Sequence, residues 1–250
     1  QELVDYLESI GMQFGPEINA YTSFDETVYM LQVPTDSIPL VETAFQILED
    51  WARYISFEKE EVEKERGVVI EEWRLGRGAD GRMRDKQLPV IFKGSLYADR
   101  LPIGEKEIIE TFQVETIKRY YNDWYRPDLM AVIAVGDFDK DHIKGLISKH
   151  FSQIPAAENA RSRESYVVPD HEETLFAIAT DPEAANTVVS IYYKMDPEAE
   201  KNINDYRRML IERLNIRMMN NRFYELLNQP DPPFLFGVSM HTSLVRVKDI

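Results

Sequence analysis

An α+β fold, a two-layer α/β sandwich whose helices cover one face of a mostly antiparallel sheet, is what three features of this sequence predict. Two short runs of alternating residues, Ile18 to Thr22 and Thr27 to Val33, flank Ser23-Phe24-Asp25-Glu26 as the arms of a hairpin would. Several stretches of helical period follow, each with an apolar side. After a polar stretch between Pro155 and Asp170 the order strand, strand, helix starts again. Residues 1–160 therefore read as one nearly complete domain and residues 161–250 as the first part of a second, similar one.

In chain order, Glu2 to Ile10 carries Leu3, Leu7 and Ile10 on one side and Gly11 behind them, which predicts a short helix. A domain seldom opens inside an amphipathic helix, so the expectation is a piece of a longer protein. The hairpin comes next, with Asn19 and Tyr21 on one face. A helix from about Pro39 to Tyr54 has Pro in its first turn and a broad apolar side of Val41, Ala44, Phe45, Leu48, Trp51, Ala52 and Ile55. Phe57 to Leu75 is a second helix. Gly76, Gly78 and Gly81 predict a flexible turn before a helix from Met83 to Phe92. Val114 to Trp124 and Asp139 to Phe151 are further helices, and the apolar run Met130 to Val135 is expected to be a central strand buried on both faces. In the second part, Thr174 to Thr180, Thr187 to Tyr193 and Phe234 to Met240 read as strands around a long helix from about Asn202 to Asn228.

Composition narrows the function. With 250 residues, 44% of them hydrophobic, the chain can build a real core. A net charge of −15 opposes binding to a polyanion, so no nucleic acid is expected. No apolar run approaches the ~20 residues that span a bilayer, so no membrane segment is expected. The absence of cysteine rules out disulfides, thiolate catalysis and Cys-ligated zinc within these residues.

The helix FEKEEVEKERGVVIEEWRL, Phe57 to Leu75, holds the residues with chemistry. At about 100° per residue, Phe57, Val62, Val68, Val69, Trp73 and Leu75 fall on one arc, and Glu65 and Glu72 lie inside it, about 10 Å apart along the axis. A carboxylate buried there needs a cation, hydrogen-bond donors or a metal. Glu58 and Glu61 share that side, so a solvated acidic stripe fits the same wheel. The four histidines, His142, His150, His171 and His241, stand in no zinc-ligand spacing. His142 and His150 are expected at exposed helix positions, His171 in a linker and His241 at a strand end. GRGADG at Gly76 to Gly81 lacks the Lys-Ser/Thr ending of a phosphate loop.

Four blocks in order, NAYTSFDETVYM at Asn19 to Met30, ERGVVIEEW at Glu65 to Trp73, LPIG at Leu101 to Gly104 and WYRPDLMAVIAVGDFD at Trp124 to Asp139, resemble the insulinase/pitrilysin family of zinc peptidases. The likeness covers most of residues 1 to about 155, and the part after about Val167 resembles the start of the family's second domain by position. The resemblance implies a zinc-dependent endopeptidase acting on peptides or unfolded polypeptides with a metal-activated water. In that family a His-x-x-Glu-His motif supplies two ligands and a general base, and a later Glu completes the site. Glu72 matches that Glu and so takes the metal. Glu65 matches an acid that supports the catalytic site without touching the ion, as the 10 Å separation requires.

The His-x-x-Glu-His motif itself does not occur in this sequence. The expectation is that it precedes the segment starting at Gln1, that zinc belongs to the parent protein, and that this fragment alone binds it weakly or not at all and is inactive. The resemblance also implies that Asn19, Ala20 and Tyr21 border the cleft and bind peptide substrate by strand addition, whereas the residues alone favour an ordinary hairpin with Tyr21 in the core. Its partners would be peptide substrate, the upstream segment and paired C-terminal domains, and its location the bacterial periplasm or cell envelope. The alternative within the family is a noncatalytic structural or substrate-binding subunit.

Overall fold

A computed structural model describes residues 17–198 and 200–250; the helix expected over Glu2 to Ile10 lies outside them. The chain is a helix-dominated α+β fold with small antiparallel sheets. Strands β1 (Ile18–Thr22) and β2 (Thr27–Leu31) form the predicted hairpin, with Ala20 opposite Tyr29 and Ile18 opposite Leu31. Its turn closes where the Ser23 N–H donates to the Glu26 carbonyl at 2.9 Å.

Helix α1 (Ile38–Arg53) begins with Pro39 in its first turn, where proline lacks only an amide that would have no helical partner. Its inner side carries Val41, Ala44, Phe45 and Ile47. Ile47 meets Ile18 of β1, ringed by Leu31, Val33 and Trp51, and this contact seats the hairpin on the helix. Val41 and Phe45 meet Ile143 and Leu146 of α6 (Lys140–Phe151), whose first turn is capped by Asp139 accepting from the His142 N–H at 2.7 Å. Each such side chain contributes about 1.5–3 kcal/mol on burial, so this layer holds the first unit together.

Between α1 and α6 in the sequence come α2 (Lys59–Leu75), α3 (Ala79–Ile91), a 3₁₀ turn at Leu96–Asp99, α4 (Lys106–Thr111) and α5 (Val114–Trp124). α3 starts four residues earlier than expected, because Gly78 ends in extended backbone and Ala79 opens the helix. α2 starts later. Phe57, expected inside it, has φ of 53° and precedes it, its ring set against Tyr121 at 5.2 Å. That contact offsets the cost of a left-handed non-glycine residue.

Described residues up to Arg77 pack with Leu101–Glu164, and Gly78–Arg100 packs with Ser165–Ile250. In the second unit Phe92 and Tyr97 bury their rings 5.9 Å apart, with Tyr166 edge-on to Tyr97. Arg82 makes a fork onto Asp181, with bonds of 2.8 and 2.6 Å, and reaches Glu183. The guanidinium holds the Asp181 carboxyl down at about 2. Helix α7 (Ile203–Leu227) opens on a capping box in which Asn202 and Asp205 satisfy one another's backbone amides. Asn220 on α7 bonds both the N–H and the carbonyl of Ser239, and Phe223 meets Phe234 edge-on. Strands β3 (Ser243–Val245) and β4 (Lys248–Asp249) close the chain, with Lys248 enclosed between Asp170 and Asp196.

The four further strands read from apolar runs are not in a ladder among the described residues. Met130 to Val135 was expected to be buried on both faces, yet Ile133 and Val135 are 82% and 91% exposed. Thr174 to Thr180 alternates half-buried and exposed residues, as a strand does, with no neighbour bonded to it among those residues. An apolar run encodes a need for cover, whereas a ladder also needs a second backbone edge in register.

Candidate functional site

The more buried side of α2 is made by Val62, Arg66, Val69, Ile70 and Trp73, all half-buried at helical spacing, and the helix contacts α4. This corrects the arc drawn from the sequence. Val68 and Leu75 sit on the far side, 57% and 75% exposed, and Glu65 and Glu72 are exposed on the flank between the two, about 100° round the helix from Arg66 and Trp73. The two acids do share one side, stacked two turns apart, but they are not buried.

Their neighbours differ from them in a useful way. Glu61 pairs with Lys64, Glu63 with Arg66 and Glu71 with Arg74, each three residues on. These cations hold the carboxyls of Glu61, Glu63 and Glu71 below their usual range. Glu60 stands in the first turn, where the helix dipole favours an acid. Among the described residues Glu65 and Glu72 are thus the α2 carboxylates with neither an ion pair nor a helix terminus to account for them.

On β1 the candidate peptide-binding residues Asn19, Ala20 and Tyr21 are exposed. The Ala20 N–H donates to Asn19 Oδ1 at 2.8 Å, and the Tyr21 hydroxyl donates to Glu26 at 3.0 Å, so Tyr21 is not a core residue. Ser23 bonding Glu26 and Gln32 bonding Glu17 make the odd-numbered positions of β1 the ones that exchange bonds with β2. The main chain of Ala20 therefore faces the outer edge. Behind it Tyr29, opposite Ala20, shares a 2.8 Å hydrogen bond with the Tyr125 hydroxyl and lies 5.6 Å from the Trp51 ring. Burial, then the bond to Tyr125, pushes the Tyr29 phenol well up. Tyr121 donates to the Trp51 carbonyl at 2.7 Å, and burial pushes its phenol up to about 12. The hairpin is held by neutral phenols that bond and pack, which suits a rigid support.

The described residues contain no group of three His, Asp or Glu able to hold a metal ion, so by themselves they do not fit zinc, which takes three protein ligands in a catalytic site. The histidines lie elsewhere. His142 is exposed on α6. His150, expected to be exposed, is buried: its Nδ1 is 2.6 Å from Glu49 and its ring stacks on Phe45, because α1 covers that side of α6. His171 is exposed and bonds the Glu173 carbonyl. His241 has Glu212 3.4 Å from Nδ1 and Asp249 3.6 Å from Nε2. No hydrogen bond or ion pair joins a histidine to Glu65 or Glu72 among the described residues. No described helix is long and apolar enough to cross a membrane.

The sequence reading missed Arg66, whose side chain ties α2 to the end of α4. Its one visible signal was a cation on the apolar side of the wheel with Glu63 three residues before it.

Comparison with known proteins gives the family. A family model described as "Insulinase (Peptidase family M16)" matches residues 1–76, and one described as "Peptidase M16 inactive domain" matches residues 111–229. A "Zinc protease PQQL-like" of Arabidopsis thaliana is 42% identical over 249 residues, 99% of this chain and 26% of that protein. A "Probable zinc protease PqqL" of Escherichia coli is 33% identical over 230 residues, 91% of this chain and 24% of that protein. The crystal structure of the first half of the periplasmic protease PqqL from Escherichia coli superposes with a TM-score of 0.80 at 28% identity, covering 99% of this chain and 53% of that one. The chain spans about a quarter of the length of these curated relatives. Matched by both kinds of domain and by the fold of a solved relative, the chain belongs to the insulinase family, M16.

Proposed function

We propose that these residues are part of a zinc-dependent endopeptidase that cleaves peptides or unfolded polypeptides, with Glu72 as one metal ligand and Glu65 supporting the catalytic site. The observation that carries this is the contrast along α2: three acids are consumed in ion pairs, while Glu65 and Glu72 stand with none among the described residues, on one flank beside exposed Val68 and Leu75. An exposed apolar strip with two unmatched carboxylates calls for cover by another part of the longer protein, which would bring the remaining ligands and the base. Zinc there would supply an activated water. The part of this chain is to present one carboxylate to the ion, a second to the groups around it, and the Asn19 to Tyr21 edge to an extended peptide. In this assignment residues 1–160 form the catalytic-type domain, residues 161–250 begin a similar one, and the chain alone holds zinc weakly and is inactive. The periplasmic description of the Escherichia coli protease supports an envelope location.

The test is metal analysis and a peptide assay on the full gene product that contains these residues. Zinc bound at one per chain, lost with turnover in Glu72→Gln, is expected. A wild-type full product with neither zinc nor activity would favour a noncatalytic family member, to which the "inactive domain" description of residues 111–229 also lends itself.

A further inference from the structure

We propose that Arg66 is a positioning residue that sets the rotation of α2 about its own axis and so fixes where the flank shared by Glu65 and Glu72 points. The inference rests on the site reading above for its effect on zinc, but its geometry stands apart from it. The Arg66 side chain is only 12% exposed, although it belongs to a helix without one fully buried residue. Its Nε and one terminal nitrogen each donate to Glu63 at 3.0 Å. That same nitrogen donates to the Phe112 carbonyl at 2.9 Å, and the other donates to the Ile109 carbonyl. The face of the guanidinium lies 3.9 Å from the Phe112 ring centroid.

Two of these contacts fall on carbonyls at a helix end. α4 is six residues long and ends at Thr111, so the carbonyls of Ile109 and Phe112 belong to a helix end with no further amides to bond them. A guanidinium has donors enough in one plane to meet a carboxylate and two carbonyls at once while its face stays free to stack; an ammonium does not. The other half-buried side chains on that side of α2 are apolar, and apolar contacts have no preferred direction. The hydrogen bonds at Arg66 do. Because Glu65 adjoins Arg66 and Glu72 adjoins Trp73 on the same packed side, a rotation of α2 of about 30° would shift both carboxylates by roughly 3 Å, more than a zinc–oxygen bond tolerates.

The test uses the full gene product as wild type, Arg66→Lys, Arg66→Ala and Glu72→Gln. Read out are zinc retained against a chelator, kcat and KM on an unstructured peptide, and the distance between spin labels on E60C and I108C, exposed positions on α2 and α4 that lie off the flank of Glu65 and Glu72, in a stretch free of cysteine. Arg66→Lys and Arg66→Ala are expected to weaken zinc retention by about 10- to 100-fold, to lower kcat with KM within about twofold, and to broaden the label distance. A lower unfolding midpoint with wild-type zinc, kcat and label distance would overturn the proposal, since a merely stabilising residue would give that. If Arg66→Ala does not fold, Arg66→Lys and Phe112→Leu decide by the same readouts. Zinc lost in Glu72→Gln but kept in both Arg66 variants sinks this inference alone. Zinc kept in Glu72→Gln sinks the site reading, and the label distance still decides the role of Arg66.

Discussion

Glu72→Gln separates a carboxylate kept for function from one kept for stability. In these residues the change removes one negative charge from an exposed side chain that has no ion pair among the described residues, and a glutamine keeps the helix propensity. No cavity, cap or buried bond is lost, so unfolding should shift by less than about 0.5 kcal/mol. If anything the sign is favourable, because one charge fewer on a chain of −15 relieves repulsion. In the full gene product the same substitution replaces an anionic ligand by a neutral amide, and zinc affinity should fall by more than about 100-fold, beyond the loss usual for residues behind the ligands. Denaturant unfolding of the 250-residue chain gives the first quantity and metal analysis of the full product the second. A destabilisation above about 1 kcal/mol would mean that Glu72 has a structural partner, and unaltered zinc would mean that it is no ligand.

Glu65→Gln should leave zinc content near wild type and lower kcat by about 10- to 100-fold, checked by metal analysis beside the peptide assay. Glu49→Ala, which strips the 2.6 Å partner from buried His150, should cost about 1–3 kcal/mol in urea unfolding; a neutral result would deny the pair any part in holding α1 to α6. Tyr29→Phe removes one hydroxyl bond behind β1 and should cost about 1 kcal/mol, read the same way. Asp181 is held down at about 2 by Arg82, so its stabilising effect is full above the ordinary carboxyl value of about 4 and is lost as pH falls towards 2. The stability gap between wild type and Arg82→Gln should therefore close across that acid window in a pH series followed by circular dichroism.

Elements whose own period names their covered side were readable from the sequence. α1, α5, α6 and α7 fall within two residues of their expected ends, and the hairpin keeps its expected strands. α4 was not, since six residues make under two turns and show no period. The start of α3 hid among glycines that also read as a turn. α2 is the instructive case. Apolar residues at Val62, Val68, Val69, Ile70, Trp73 and Leu75 run round more than half its circumference, so sequence alone could not say which part is packed. That choice is made by Phe112 and the end of α4, more than forty residues on, through an arginine whose charge hides its use of an aromatic face. The pairing of Glu65 with Glu72 was visible because a separation of seven residues fixes their common side whichever way the helix turns.

The division of the chain at Arg77 has a consequence for its synthesis. Residues 78–100 are made early, but the rest of the unit they pack into is residues 165–250. At about 5–20 residues per second, a ribosome leaves Phe92 and Tyr97 waiting for several seconds to about half a minute. During that interval two rings that end buried are open to solvent and to any holding chaperone. A slow stretch of translation between residues 100 and 165 would lengthen the exposure, and that stretch is where synonymous codon changes should alter the yield of folded protein most.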